Sequence, residues 1–224
     1  MPQEEWSEVD QYVGGLLVHS DLVLDSALAD SQAANLPPIN VTPALGKMLH
    51  IFARMCGASR ILEIGTLGGY STIWLARALP EEGRLISLEV DPRHAEVAWK
   101  NLERGGLERK VEIRLGAALE TLPKLEQEGE GPFDLIFIDA NKENNAEYFR
   151  MALKLSRPGS VIVVDNVIRK GAVVDAKSAD TAVRGTRRLM ETVATESRVS
   201  ATVVQTVGAK GYDGFLMAIV ENRG

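Results

Sequence analysis

Two short stretches of this chain end in side chains suited to holding a cation. Asp139-Ala140-Asn141-Lys142 follows the run Asp134 to Ile138, and Asp165-Asn166 follows the run Ser160 to Val164. If the two runs are neighbouring strands, their ends lie about 5 Å apart. Two carboxylates, an amide oxygen and a lysine then surround one point. Hard oxygen donors with room for further ligands suit Mg2+, Mn2+ or Ca2+ rather than zinc. His19, His50 and His94 are scattered without zinc-binding spacing and read as structural or surface residues. Each site residue also has a plainer reading. An aspartate after a strand caps the segment that follows, and Lys142 is a surface lysine beside an acid. Two such coincidences at two strand ends are the less economical account.

A second constellation is Glu63-Ile64-Gly65-Thr66-Leu67-Gly68-Gly69-Tyr70-Ser71. Glycines let the backbone turn sharply and approach a ligand closely. The spacing is G-x-x-G-G, not the G-x-G-x-x-G of dinucleotide sites, and an acid stands before the first glycine. A pyrophosphate needs free amides at a helix N-terminus; a cationic sulfonium ligand with a free amino group is better met by a carboxylate such as Glu63. Glu89, at the end of the next strand, is placed to accept hydrogen bonds from ribose hydroxyls. Gly116-Ala117-Ala118 follows the third strand and suits an adenine wall. The plainer alternatives are a ligand-free tight turn and a surface glutamate.

Such residues need a scaffold that gathers strand ends. Short apolar strands at Arg60–Ile64, Arg84–Leu88, Val111–Leu115, Asp134–Ile138 and Ser160–Val164 alternate with helical stretches. Ile136-Phe137-Ile138 and Val161-Ile162-Val163-Val164 are apolar without alternation, as in strands buried on both faces of a parallel sheet. This is the pattern of a doubly wound α/β fold. Two last strands, Ala201–Val207 and Phe215–Val220, have only a glycine-rich turn between them and are expected to pair antiparallel. Ahead of the sheet, Val9, Tyr12, Val13, Leu16 and Leu17 form one apolar helical face, and Leu22 to Ala34 is a second helix. Thr42-Pro43 starts a third, with Leu45, Met48, Leu49, Phe52 and Cys56 as its stripe. Residues 166–178 read as a long polar connection, and Glu126 to Pro132 as a charged loop.

Composition narrows the function. With 224 residues and 45% hydrophobic content, the chain suits one α/β domain with a proper core. A formal net charge of -6 argues against nucleic acid as a partner, and Arg184, Arg187 and Arg188 read as a solvated helix face. The single Cys56 cannot form an intramolecular disulfide. MPQEEWSEVD lacks a signal core, and no apolar run approaches a membrane span. The expectation is a soluble cytoplasmic protein with no membrane partner.

The motifs LEIGTLGGYSTIWLA, FDLIFIDANK, VIVVDNV and KGYDGF carry a resemblance running from about Trp6 to Val220. The chain resembles the metal-dependent O-methyltransferases of the caffeoyl-CoA and catechol type, closest to the small bacterial members. The resemblance implies a Rossmann-like seven-stranded methyltransferase sheet, mostly parallel with an antiparallel last strand. It implies an S-adenosylmethionine (SAM)-dependent methyltransferase domain over 43–224, and an N-terminal helical extension over 1–42 that covers substrate or forms a dimer contact. Val41, Glu63, Gly65, Thr66 and Ser71 would line the methionine part of the cofactor, Glu89 the ribose and Ala118 the adenine. Asp139, Asp165 and Asn166 would bind a divalent cation, Mg2+ foremost, and Asp139 would also touch the cofactor's amino group. Lys142 would be the general base, and the protein a homodimer. Two positions depart from the family: Gly116-Ala117-Ala118 lacks the usual polar residue, and Asn141 stands where an acid is common.

The implied reaction is methyl transfer to a hydroxyl of a vicinal-diol, catechol-like small molecule. Both diol oxygens would bind the metal, which lowers the pKa of the reacting hydroxyl. The two alternatives are an NAD-dependent oxidoreductase on a similar sheet and a SAM-binding protein without catalysis. The glycine spacing disfavours the first, and the Asp139/Lys142/Asp165/Asn166 set disfavours the second.

Overall fold

The computed structural model describes residues 2–222. Met1 and residues 223–224, at the outer ends of the two expected domain ranges, lie outside the described residues. Helices α1 (Pro2–Leu17), α2 (Leu22–Ala33) and α3 (Pro43–Met55) lead into β1 (Arg60–Ile64), α4 (Tyr70–Ala76), β2 (Arg84–Glu89), α5 (Pro92–Arg104) and β3 (Val111–Leu115). There follow α6 (Ala118–Glu128), β4 (Phe133–Ile138), α7 (Asn145–Lys154), β5 (Ser156–Asp165), α8 (Thr181–Thr195), β6 (Val199–Gly208) and β7 (Gly211–Val220). Short 3-10 turns occupy Lys142–Asn144 and Arg169–Val174.

The seven strands lie in the order β3-β2-β1-β4-β5-β7-β6. β1 to β5 are parallel to one another, and β7 runs antiparallel between β5 and β6. The mostly parallel sheet and the final antiparallel hairpin are as the residue pattern requires. All six residues of β4 are buried, because helices cover both faces. Leu135, Phe137 and Val163 pack toward α3 and α4, whereas Ile136, Ile138, Ile162 and Val164 pack toward α6 and α7. Thr42 caps α3 as expected, accepting from the Leu45 amide at 3.2 Å.

β5 and β7 each begin four residues earlier than read, and three further elements differ from their sequence reading. α1 is helical, but its apolar face does not meet the core: Tyr12 is 70% and Leu17 68% exposed. Polar contacts hold the helix instead, from Gln3 Nε2 to the Gly208 carbonyl at 3.0 Å and from the Ala209 amide to Asp10 Oδ2 at 2.7 Å. α2, by contrast, sends Leu24 and Ala27 fully into the main core. Within the connection 166–178, Arg169–Val174 forms 3-10 turns, broken at Lys170 and Gly171 where φ is positive. The charged loop near 126 is shorter than read, since α6 continues to Glu128 before Gly129 (φ 72) ends it.

Candidate active site

The glycine loop sits where β1 hands over to α4, at the carboxyl edge of the sheet. Gly65 has φ 104, and a Cβ there would stand 2.3 Å from the Asp139 carbonyl oxygen. Glycine is therefore required for the loop to pass against the end of β4. Glu89 secures the loop from the end of β2. Its carboxylate accepts the Thr66 and Leu67 amides at 3.2 and 2.8 Å, and those of Val90 and Asp91 at 2.9 and 3.0 Å.

Glu63 lies behind the loop, fully buried. Its carboxylate accepts from Ser71 Oγ at 2.6 Å, Thr72 Oγ1 at 2.5 Å and Ser87 Oγ at 2.6 Å. Burial pushes Glu63 up to about 7, opposed by these three hydroxyl donors. Thr66 Oγ1 bonds Ser87 Oγ at 2.5 Å, so Glu63, Thr66, Ser71 and Ser87 form one buried network.

At the chemical end, β4 and β5 pair Ile138 with Val164, so Asp139 and Asp165 are the next residues of adjacent strands. Lys142 Nζ lies 2.6 Å from Asp139 Oδ1, with both side chains largely buried. Asp165 is 7% exposed. Burial, then the charge of Asp139, push its carboxyl up to about 7, with Lys142 opposing. Asp165 Oδ1 accepts the Asn166 amide at 2.8 Å, and Asn166 has φ 59. The structure thus brings Asp139, Lys142, Asp165 and Asn166 together. Among the described residues no group of three His, Cys, Asp or Glu side chains is arranged to hold a metal ion; the expected donor set is two carboxylates and an amide.

A cavity of about 750 Å3 joins the two ends. Val41, Gly65, Thr66, Ser71, Glu89, Ala118, Asp139, Lys142 and Asn166 all line it. Glu63 and Asp165 stand behind that wall.

Sequence reasoning missed several residues here. Tyr148, Asn144, His94 and Arg169 also line the cavity, and their only sequence signal is proximity to the strand-end motifs. Asp213, inside KGYDGF, accepts the Ile168 and Arg169 amides, both at 3.0 Å, and so shapes the loop after Asn166. The arginines of α8 are more than a solvated face. Arg187 donates to the Val173 carbonyl and Arg188 to the Glu143 carbonyl, both at 2.6 Å. They clamp the two 3-10 turns that border the site; Arg184 and Arg188 are exposed and Arg187 is half-buried.

A family model described as O-methyltransferase matches residues 20–218. The chain is 51% identical over 221 residues to a catechol O-methyltransferase of Niastella koreensis, covering 99% of this chain and 100% of that relative. The O-methyltransferase from Bacillus cereus, solved in complex with SAH, matches with TM-score 0.96 and 54% identity over 98% of this chain and 100% of that one. TomG from Streptomyces achromogenes, an O-methyltransferase of tomaymycin synthesis solved with SAM, matches with TM-score 0.96 and 50% identity over 99% and 100%. The oxidoreductase alternative is overturned by these matches. The chain belongs to the O-methyltransferase family, whose members are SAM-dependent enzymes.

Proposed function

We propose that this chain transfers a methyl group from SAM to a hydroxyl of a vicinal-diol, catechol-like small molecule, with a divalent cation at Asp139, Asp165 and Asn166 and Lys142 as general base. The observation that carries the reading is Lys142 Nζ held 2.6 Å from Asp139 Oδ1, on the wall of the cavity that also holds the glycine loop. The donor set fits a hard cation: Asp165 is a buried acid raised partly by a second carboxylate beside it, and positive charge there relieves both costs. A cation so placed lowers the pKa of a coordinated hydroxyl.

The chain's own residues do the rest. Val41, Gly65, Thr66 and Ser71 hold the methionine part of SAM, with Glu63 fixing Ser71 from behind. Glu89 holds the ribose, Ala118 borders the adenine, and Asp139 also reaches the amino group. As the neutral amine, with Asp139 turned to the cation, Lys142 takes the proton of the acceptor hydroxyl. The acceptor oxygen then bonds the methyl carbon as the carbon–sulfur bond breaks, leaving S-adenosylhomocysteine. Holding both reactants in line is the larger part of the catalysis.

The same reading makes the enzyme a cytoplasmic homodimer, with the exposed face of α1 against a second copy. Among the described residues no helix is long and apolar enough to cross a membrane, and neither membrane nor nucleic acid is proposed as a partner. The test is product mass after incubation with SAM, Mg2+ and a panel of catechols, with and without EDTA. The expected product is heavier by one CH2 and vanishes with EDTA. Product that survives EDTA overturns the metal's part. Cofactor binding with no product from any diol favours a non-catalytic SAM-binding protein.

A further inference from the structure

Arg169 lines the same cavity as Lys142 and Asn166, three residues beyond Asn166 at the start of a 3-10 turn. Its charge is handled differently from those of Lys142 and Glu89. Lys142 is paired with Asp139, and the Glu89 carboxylate is engaged by four backbone amides. The Arg169 guanidinium has no hydrogen-bond or ion-pair partner among the described residues, and its Nε is buried without an acceptor. A guanidinium keeps its charge and presents five donors in a rigid fork. A buried donor left without an acceptor is costly, so this position is incomplete as the chain alone presents it.

The backbone is held there at a cost as well. Arg169 and Lys170 have φ 55 and 56, in the left-handed region that non-glycine residues seldom occupy. Asp213 Oδ1 secures that conformation by accepting the Ile168 and Arg169 amides. Arg187 ties the far end of the same turn to α8 through the Val173 carbonyl. A strained segment secured at both ends presents an unpaired cation to the cavity, next to the residues proposed to hold the diol.

We infer that Arg169 is a specificity-determining residue that recognises a carboxylate carried by the methyl acceptor away from its diol. The inference rests on the function proposed above. An Arg–carboxylate contact can be bidentate, giving orientation as well as affinity. With the diol at one end and the carboxylate on Arg169 at the other, the acceptor is fixed at two points.

The test compares protocatechuate, a catechol bearing a carboxylate, with its uncharged primary amide. Binding is read by calorimetry on the SAH-loaded protein with Mg2+, and turnover by initial rates. Wild type should bind the carboxylate roughly tenfold or more tightly than the amide. Arg169→Asn should bring that ratio close to one; asparagine tolerates the left-handed backbone, and Arg169→Gln serves if the first variant does not fold. Arg169→Lys should recover part of the preference, since it restores charge without the fork. No preference in wild type, or a preference unchanged in both neutral variants, overturns the inference, and methylation of the two diols would still leave the proposed function standing. An Arg169-dependent preference in a protein that methylates neither diol would show that Arg169 binds a carboxylate but not one carried by a methyl acceptor, and overturns the inference.

Discussion

Gly185 of α8 lies against the backbone of Lys142: a Cβ at 185 would stand 2.2 Å from the Lys142 carbonyl oxygen and 2.6 Å from the Glu143 Cα. The neighbour is main chain, so it cannot swing aside as a flexible side chain would. Arg188 reinforces the approach by donating to the Glu143 carbonyl at 2.6 Å. The position of the candidate base therefore depends on a glycine distant from it in sequence.

Gly185→Ala should displace the Lys142–Asn144 turn. Overpacking of this kind costs about 1–3 kcal/mol, which lowers Tm by several degrees, at roughly 2–4 °C per kcal/mol for a chain of this size. Turnover should fall at least tenfold, since small displacements of a reacting group are expensive. Gly14→Ala, in α1, is the control: a Cβ there meets nothing within 4 Å, and the change should be neutral or slightly stabilising. Differential scanning calorimetry and initial rates on both variants decide the matter. A fully active Gly185→Ala would show that this contact does not position Lys142.

Lys142→Ala should bind SAM with near wild-type affinity and lose roughly a hundredfold or more in kcat, the usual scale of acid–base catalysis. Asp165→Ala should lose activity together with its response to Mg2+. Calorimetry for binding and single-turnover rates separate the two effects. Normal turnover in Lys142→Ala would remove the base assignment.

The buried Glu63 makes stability depend on pH. Its folded value of about 7 lies above the ordinary 4.5, so the folded state holds a proton that the unfolded state releases earlier. Its favourable contribution is complete below about pH 4.5 and is lost as pH rises through about 7. The full effect is of the order of 3 kcal/mol. Glu63→Gln should therefore gain relative to wild type between pH 5 and pH 8, read from urea midpoints across that range. Asp165 acts in the same sense, so the difference between the two proteins isolates Glu63. A pH-independent difference would mean that the three hydroxyl donors already hold Glu63 ionised.

The exposed face of α1 predicts the oligomeric state. Tyr12→Asp with Leu16→Asp should shift a dimer to monomer in light scattering. Both side chains are more than half exposed in the single chain, so the monomer's fold should survive the change. A wild type that is monomeric at micromolar concentration would remove the proposed role of that face.

The amino-acid sequence by itself determined the strands, their helices and the residues at the strand ends. Apolar runs such as Ile136–Ile138, the Thr42-Pro43 start and the Gly65-Thr66-Leu67-Gly68-Gly69 turn are local signals set by steric and hydrogen-bonding rules over a few residues. Since such ends gather at one edge of a parallel sheet, Asp139, Lys142, Asp165, Asn166 and Glu89 were legible as one site. Tertiary structure alone decided the rest, because it depends on contacts between segments far apart in the chain. Periodicity marks an apolar face on α1 but cannot say that the face points outward. A glycine in a helix does not announce that the Lys142 backbone presses on it. Nor does a run of arginines reveal that Arg187 and Arg188 clamp two turns. Glu63 behind the cavity wall and Arg169 on it are both charged residues beside a motif, and only the packing of distant side chains around each decided which faces the ligand.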